Sequence, residues 1–530
     1  MLRAAAGALL LGLLGAREAR AQAAAPAAPP GGPAPALVVL VTADQLRADY
    51  LDRFAPQLTG GLARLVRGGA YFTNAHQDHA ITETAPGHAS LLSGRFPRST
   101  GIASNWEGVE DATAPVLGAR GGQGASPRRF RGTTLVDWLR ARDRRVRALA
   151  VSAKDRSAIL PIGRAREQVF WYAPDGRFTT SRYYARSLPP WVDRFNARRL
   201  PQSHAGRTWS PLLDAAAYPE PDAVAYEADG MDIAFPHPMP ADAEGAASFV
   251  RATPWIDEIL LAFALDGVQS LALGAGPQVD VLSVALSGTD FIGHRYGPDS
   301  KEMHDQVLRL DRALGGFLDS LYRLRDSTRV AVVFTADHGV GRIPELAAEG
   351  AADPPLRVRI GPAVARVRQA LSEAGVPPAA LVVDGEAFAL DRTALRAAGA
   401  EPEPLLARLV AELRGTPGVL RADRWADLLR ADHAADPIAR RWAHQFPERA
   451  PIDVVVTLTP GSVWGSGVAT HGSPHDYDSH VPLIFYGPAF RPGRHAGFTR
   501  SVDIAPTLAA IVGVRPGEKV DGVVLDSALR

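Results

Sequence analysis

Three aspartates and three histidines of this sequence are spaced so that they could hold metal ions. They are Asp44, Asp290, His294, Asp337, His338 and His471. The chain contains no cysteine, so a metal site must be built from oxygen and nitrogen ligands, which suit Zn²⁺ as well as Mn²⁺ or Co²⁺. Asp290 and His294 are four residues apart and would share one face of a helix. Six ligands are too many for one closed tetrahedral site, and they predict two ions a few ångströms apart.

Three more histidines lie near these motifs. We expect His88, His475 and His480 to have structural roles or to support the ligands, because the first six residues already form a sufficient set. His475 and His480 are close to His471 in "ATHGSPHDYDSH", so either could replace it as a ligand.

Thr84 stands directly before "APGHASLL", a segment typical of the start of a helix. One interpretation is a helix cap, since a threonine oxygen accepts from an unpaired backbone N–H and proline is tolerated in the first turn. The other is a nucleophile, because coordination to a divalent cation lowers the pKa of a hydroxyl and a helix N-terminus favours an alkoxide. The same N-terminal amides would also bind an anion, so the two interpretations are compatible.

The acidic motifs end short apolar segments that have the character of buried strands. Such segments occupy residues 36–44, 146–156, 279–290, 328–339 and 481–487. Continuous Val, Leu and Ile residues indicate strands covered on both faces, and helical patterns lie between them. The alternation predicts an α/β fold with a doubly wound, mostly parallel sheet and helices on both faces. Ligands of such sheets bind beyond the carboxyl ends of the strands, where the aspartates and histidines stand.

The N-terminal sequence is typical of export. A short basic start, an apolar run and "ARA" before Gln22 predict a signal peptide at residues 1–21, with an uncleaved membrane anchor as the alternative. Residues 22–35 are rich in Ala, Pro and Gly and predict a disordered linker. We expect one catalytic domain at 36–530, interrupted by cap or lid insertions at about 157–255 and 340–450, in an exported, periplasmic or secreted protein.

The overall charge argues against a dedicated nucleic-acid partner. The chain has 58 Lys and Arg against 57 Asp and Glu, which gives a net charge of +1. Nucleic-acid binders usually show a basic excess or stripe. We also expect no stable membrane insertion after signal cleavage.

The order of the motifs resembles the alkaline phosphatase superfamily across essentially the whole mature chain. The segments are Asp44, then "TETAPGHASLLSG", "DFIGH", "TADHG" and "THG". "STGIASNWEG", which contains Asn105, and "SAKDRSAILPIG", which contains Lys154 and Arg156, resemble most closely the PafA-type alkaline phosphatases. These are monomeric exported enzymes with a threonine nucleophile.

The resemblance implies a role for each motif residue. One Zn²⁺ would be held by Asp44, Asp337, His338 and the Thr84 oxygen, and a second by Asp290, His294 and His471. Thr84 would attack phosphorus and form a phosphothreonine. Asn105, Lys154 and Arg156 would bind the phosphoryl oxygens of a small-molecule phosphate ester. Two cationic side chains beside two metals favour a monoester, which has more anionic oxygen than a diester.

Other activities use similar residues. A phosphodiesterase or nucleotide pyrophosphatase would share the metals and Thr84 but would accommodate a second ester group. A sulfatase is disfavoured, because "TAPGH" departs from its Cys/Ser-x-Pro-x-Arg motif. A phosphonate hydrolase or metal-dependent mutase resembles the chain more remotely. A non-catalytic exported protein that binds phosphate esters is a further alternative, which a near-zero metal content would favour.

Overall fold

A computed structural model describes residues 34–106, 108–118 and 124–530. The predicted signal peptide and nearly all of the predicted linker lie outside these residues. No helix in the described ranges is long and apolar enough to cross a membrane.

Short strands recur along the whole described chain. They are β1 Leu37–Ala43, β2 Ala70–His76, β3 Glu110–Pro115, β4 Gly124–Ala125, β5 Ala148–Ser152, β6 Gln168–Tyr172, β7 Phe178–Thr179, β8 Thr208–Trp209, β9 His237–Pro238, β10 Asp280–Leu286, β11 Val330–Thr335, β12 Arg357–Val358, β13 Leu381–Asp384, β14 Ala387–Leu390, β15 Val419–Arg424, β16 Val454–Leu458, β17 Val463–Trp464, β18 His480–Tyr486, β19 Gly493–His495 and β20 Thr499–Arg500.

The α-helices alternate with these strands. They are α1 Tyr50–Arg53, α2 Gly61–Gly68, α3 Thr84–Leu91, α4 Pro97–Thr100, α5 Leu135–Arg142, α6 Asp155–Ile159, α7 Pro190–Ala197, α8 Ala243–Phe249, α9 Trp255–Ser270, α10 Gly288–Tyr296, α11 Lys301–Leu324, α12 Pro344–Ala348, α13 Gly361–Glu373, α14 Arg392–Ala398, α15 Pro402–Arg414, α16 Trp425–Leu428, α17 Pro437–Gln445, α18 Asp476–Ser479 and α19 Ile504–Val512.

The central sheet has ten strands. Its order is β19-β2-β18-β11-β1-β10-β5-β6-β7, and β20 pairs with β2 outside this path. The five strands from β11 to β6 are mutually parallel, whereas β18 runs antiparallel to β11 and to β2. The predicted mostly parallel α/β sheet is therefore confirmed.

The central strand β1 shows why the sheet is covered on both faces. Its side chains alternate between faces, as in any strand. Leu37, Val39 and Val41 pack into one hydrophobic cluster with α2, α9 and α11, while Val38 and Leu40 pack into another with α5 and α19. A continuous apolar segment is what two such cores require.

A second, smaller sheet lies in the later part of the chain. Strands β13, β14, β16 and β15 form a four-stranded antiparallel sheet with its own hydrophobic cluster, which includes residues of α13 and α15. The predicted insertion at about 340–450 contains most of this unit. In the earlier predicted insertion, β6 and β7 continue the central sheet. The division into one domain with two insertions stays a prediction.

Candidate active site

The carboxyl ends of neighbouring parallel strands bring the predicted residues together. Asp44 follows β1 directly, and the adjacent strand β11 leads to Asp337 and His338. On the other side of β1, β10 leads into α10, which supplies Asp290 and His294 from one helical face, as the four-residue spacing predicts. Because these strands are parallel and in register, their ends deliver the side chains to one place.

The six side chains form one compact group, which we call the Asp/His cluster. Ligand atoms of Asp44, Asp337 and His338 lie within 4.8 Å of one another, and so do those of Asp290, His338 and His471. The Nε2 atom of His294 lies 3.4 Å from Asp290 Oδ1. The structure therefore brings together all six residues, with His338 close to both halves. Their assignment to two separate ions stays a prediction.

Each histidine of the cluster is held by a backbone carbonyl. The Nδ1 atoms of His294, His338 and His471 lie 2.9, 2.9 and 2.8 Å from the carbonyl oxygens of Ala469, Gly339 and Thr82, respectively. A carbonyl only accepts, so each Nδ1 carries a proton, and each Nε2 lies toward the carboxylates. This arrangement is the usual support for a metal-binding histidine.

The charges of the cluster also fit bound cations. Asp44, Asp290 and Asp337 are all buried, and among the described residues Lys154 is the lysine that pairs with two of them, its Nζ lying 2.8 Å from Asp44 and 2.6 Å from Asp290. Burial, with the charges of Asp290 and Asp337, raises the pKa of Asp44 well above its usual value. Asp44 Oδ1 is buried without a hydrogen-bond partner in the described chain. Three carboxylates against one ammonium leave an excess of negative charge that divalent cations would neutralise.

Burial keeps two of the histidines in the form that binds metals. It lowers the pKa of His338, and together with the nearby charges of His338 and His294 it lowers the pKa of His471 well below the usual value. Neutral imidazole is the ligand form.

Thr84 faces this cluster. The structure begins α3 at Thr84 and makes Glu83 the N-cap, with no side-chain capping hydrogen bond. The interpretation of Thr84 as the cap is therefore wrong, because the residue lies one position inside the helix. Its hydroxyl oxygen is buried and lies 3.4 Å from both His338 Nε2 and Lys154 Nζ.

Gly87 allows α3 to approach the cluster closely. A Cβ atom at this position would collide with the backbone carbonyl of Asp337. The next residue is His88, whose Nδ1 lies 3.0 Å from Asp337 Oδ2 and also 3.0 Å from the Thr84 carbonyl. The "TAPGH" motif thus fixes the distance between the threonine and the aspartate, and His88 supports that aspartate as expected.

The predicted phosphate-binding residues surround the same site. The backbone N–H of Ala85 donates to Asn105 Oδ1 over 2.9 Å, which orients the side-chain amide of Asn105 at the start of α3. The N–H of Asn105 donates to Glu83 Oε2 over 2.6 Å. Arg156 lies on α6 directly after β5 and interacts electrostatically with Glu83. Lys154, between β5 and α6, pairs with the cluster carboxylates.

One residue near the site, Gln45, was missed from the sequence. Gln45 donates its side-chain amide to Asp290 Oδ1 over 3.3 Å, and its backbone N–H to Asp337 Oδ1 over 3.1 Å. Its position next to Asp44 was the available signal. By contrast, His475 and His480 bind the carbonyls of Leu458 and Thr73 and do not join the cluster.

Comparisons with known proteins agree with this geometry. The profile of the type I phosphodiesterase/nucleotide pyrophosphatase family matches residues 38–358. Alkaline phosphatase PhoK of Sphingomonas sp. is 32% identical over 93% of this chain and 91% of its own length, and alkaline phosphatase PafA of Elizabethkingia meningoseptica is 29% identical over 95% and 94%. The crystal structure of wild-type PafA superposes with a TM-score of 0.85 at 27% identity, covering 94% of this chain and 99% of PafA. The chain therefore belongs to the type I phosphodiesterase/nucleotide pyrophosphatase family and, within it, to the alkaline phosphatases related to PafA and PhoK.

Proposed function

We propose that this phosphatase hydrolyses phosphate monoesters through a covalent phosphothreonine on Thr84. The observation that carries the proposal is the position of the buried Thr84 hydroxyl, 3.4 Å from His338 Nε2 and from Lys154 Nζ. A hydroxyl at that place is next to the groups that would help it to lose its proton and would neutralise the charge of the resulting alkoxide. The relatives' names agree with monoester hydrolysis.

Two divalent cations, which we propose to be zinc, would be held by the Asp/His cluster. Asp44, Asp337 and His338 would bind one together with Thr84, and Asp290, His294 and His471 would bind the other. Bound ions of this kind neutralise the attacking and leaving oxygens and lower the pKa of a ligated hydroxyl. The excess carboxylates, the inward Nε2 atoms and the unpartnered Asp44 Oδ1 support this assignment.

Thr84 would form and later release the covalent intermediate. Its Oγ1 attacks phosphorus, the bond to the ester oxygen breaks, and the proton lost from Thr84 is balanced by the one that the departing alcohol takes up. Water then cleaves the threonine–phosphate bond and yields inorganic phosphate. The N-terminal amides of α3 face the same region and favour the negative charge at both stages.

Lys154, Arg156 and Asn105 would hold the phosphoryl group. Burial lowers the pKa of Lys154, but the Asp290 and Asp44 carboxylates outweigh it and raise the pKa overall, so the side chain stays an ammonium. Arg156 offers a planar pair of donors, and Asn105 offers a neutral amide donor. Two cationic groups in addition to metals match a dianionic monoester better than a diester.

The decisive experiment compares p-nitrophenyl phosphate with bis-p-nitrophenyl phosphate. We expect the zinc-loaded enzyme to prefer the monoester, and the double variant Lys154→Ala, Arg156→Ala to lose monoester kcat/KM by on the order of 10²-fold, with a smaller loss for the diester. Arg166→Ala, an exposed arginine nearby, is the matched control. A preference for the diester that the double variant keeps would make the enzyme a phosphodiesterase instead.

The intermediate has its own test. Acid quenching during turnover followed by mass spectrometry should locate one phosphate on the peptide that contains Thr84. The Thr84→Ala variant should show none. Phosphate on another residue, or a fully active Thr84→Ala enzyme, would contradict the proposed nucleophile.

We also propose that the protein is exported and acts as a monomer. The N-terminal sequence and the monomeric, exported PafA type support this proposal. Sequencing of the mature protein after expression in a bacterial host should find Gln22 at its N-terminus in the periplasmic fraction, and an intact Met1 in the cytoplasm would contradict export. A mass of one chain in solution is expected from light scattering.

A further inference from the structure

A second feature of the active site is a cavity of about 220 Å³ beside the Asp/His cluster. We call it the side cavity, and the residues that concern its chemistry are His471, Glu83, Glu386, Asp478, Trp464 and Tyr477. His471 belongs to the cluster as well, and Glu83 immediately precedes Thr84. The cavity therefore adjoins the cluster at His471 and the start of α3 at Glu83.

The side cavity lies on the side of the proposed leaving group. His471 belongs to the half of the cluster with Asp290 and His294, whereas Thr84 would share the other half. A monoester attacked by Thr84 has its alcohol opposite the attacking oxygen. The alcohol would then leave from the half of the cluster that borders the cavity.

The walls of the cavity are acidic. Three carboxyl groups, those of Glu83, Glu386 and Asp478, line it, and no lysine or arginine does so in the part of the chain that the structure describes. Burial and, to a lesser degree, the negative charge of Glu83 raise the pKa of Glu386. Asp478 is only 1% exposed, and its Oδ1 lacks a hydrogen-bond partner among the described residues, although Oδ2 accepts from Ser473 N and Oγ. A buried acceptor without a partner is costly, and a cationic ligand would reduce that cost.

Two aromatic rings complete the enclosure. Trp464 lines the cavity together with Glu386. The Tyr477 hydroxyl accepts from the backbone N–H of Gly461 over 3.0 Å, which holds that ring in place. Aromatic faces beside carboxylates are the recurring way in which proteins bind quaternary ammonium groups.

A bare metal ion fits the cavity less well. The two ligand groups of the described chain whose atoms converge within 4.8 Å are both in the Asp/His cluster, and neither includes Glu83, Glu386 or Asp478. At about 30 Å³ per liquid water molecule, the volume holds several water molecules or one small organic cation.

We propose that the side cavity binds the cationic alcohol of phosphate monoesters whose leaving group bears a quaternary ammonium, the chemical class of phosphocholine. This inference rests on the proposed monoesterase activity. The ammonium would lie against Trp464 and Tyr477 and be balanced by Glu386 and Asp478, while the phosphoryl group lies at the cluster. The interaction adds to binding of the ester and of its transition state, and it raises kcat/KM for such esters over neutral ones.

The test compares phosphocholine with its neutral analogue of the same shape, 3,3-dimethylbutyl phosphate. We expect wild-type kcat/KM to be about tenfold higher for phosphocholine, in line with a desolvated cation–π and charge contact. The ratio should fall toward one in Glu386→Gln, and partly in Trp464→Leu. Because each ratio is taken within one variant, a general loss of folding or metal cancels. Asp384→Asn, an exposed carboxylate two residues from Glu386, should keep the full ratio.

The outcomes separate this inference from the proposed function. Failure to hydrolyse p-nitrophenyl phosphate would overturn the monoesterase itself. Hydrolysis of that ester with a wild-type ratio near one would overturn only the role of the cavity. A ratio of ten that Glu386→Gln and Trp464→Leu both retain would also overturn it, because the preference would then arise elsewhere.

Discussion

The Asp/His cluster and the side cavity both concentrate carboxyl groups, but they balance the negative charge differently. In the cluster, burial raises the pKa of Asp290, yet the charges of Lys154 and His294 outweigh it and hold the pKa well below its usual value. In the cavity, burial raises the pKa of Asp478 to about 7, and the hydrogen bonds from Ser473 and the charge of Arg47 offset burial only in part. In the cluster, neighbouring cationic groups thus keep Asp290 ionised, whereas in the cavity Asp478 has no comparable partner among the described residues and would gain most from a cationic ligand.

The two regions also differ in how firmly their groups are held. The cluster stands on the ends of parallel strands, and its histidines bind backbone carbonyls. The cavity is formed by loops and short strands, among them the turn between β13 and β14 that contains Glu386. Side chains fixed at the ends of a rigid sheet suit chemistry that tolerates little displacement. Side chains on loops suit substrate specificity, which varies between related enzymes.

The largest expected effect is the loss of a cluster carboxylate. Asp44→Asn removes a charge that we expect to bind metal, and a change of several kcal/mol in transition-state stabilisation corresponds to a fall in kcat/KM on the order of 10³-fold. The measurement is hydrolysis of p-nitrophenyl phosphate together with bound zinc. The same chemical change at exposed Asp384 is the control and should stay within twofold of wild type. An Asp44→Asn enzyme with more than a tenth of wild-type activity would remove the basis for calling the cluster catalytic.

The sequence predicts the cluster well because its residues follow recognisable strands. Asp44, Asp337 and Asp290 each end or follow a continuous apolar segment, and parallel neighbours bring such ends together. The four-residue spacing of Asp290 and His294, which places them on one face of a helix, was likewise recognisable in the sequence. Thr84 was harder, because the first residues of a helix share the same composition and the cap position differs from the next one by a single residue.

The side cavity could not be predicted in the same way. Glu83, Glu386 and Asp478 are separated by 303 and 92 residues (386 − 83 and 478 − 386) and belong to no common periodic pattern. Trp464 lies in a two-residue strand, which is too short to show an alternation of apolar and polar residues. Contacts between loops depend on how the small sheet packs beside the large one, and this packing leaves no local signal. The region at about 340–450 therefore appeared only as an insertion.

A smaller effect tests which histidine completes the cluster. His471→Ala removes an Nε2 that lies 3.8 Å from Asp290 Oδ1, whereas His475→Ala removes a histidine whose Nε2 bonds the Leu458 carbonyl. We expect the first change to lower kcat/KM about a hundredfold and to reduce bound zinc by about one ion per chain. The matched His475→Ala enzyme should retain its zinc. If His475→Ala loses the metal and His471→Ala keeps it, the assignment of the ligand is wrong.

The smallest expected effect is the pH dependence of stability from the side cavity. The unfolded Asp478 carboxyl ionises near pH 4, but in the folded protein burial raises its pKa to about 7, so folding takes up a proton between these values. The free energy of unfolding of the wild type must then fall as pH rises through this window. Asp478→Asn lacks the titration, so its stability relative to wild type should increase by about 2 to 3 kcal/mol between pH 5 and pH 8.

Denaturant unfolding of the zinc-loaded wild type and variant at each pH measures this difference, in which effects common to both proteins cancel. Asp476→Asn is the control two residues away. Burial raises the pKa of Asp476, but its hydrogen bond and ion pair with Arg441 outweigh burial and lower the pKa overall, so this carboxyl is ionised in both states between pH 5 and pH 8 and its removal should leave the difference flat over that range. A flat difference for Asp478→Asn would mean that a cation already balances this carboxyl in the free enzyme. The side cavity would then resemble the Asp/His cluster, and the contrast between the two regions would fail.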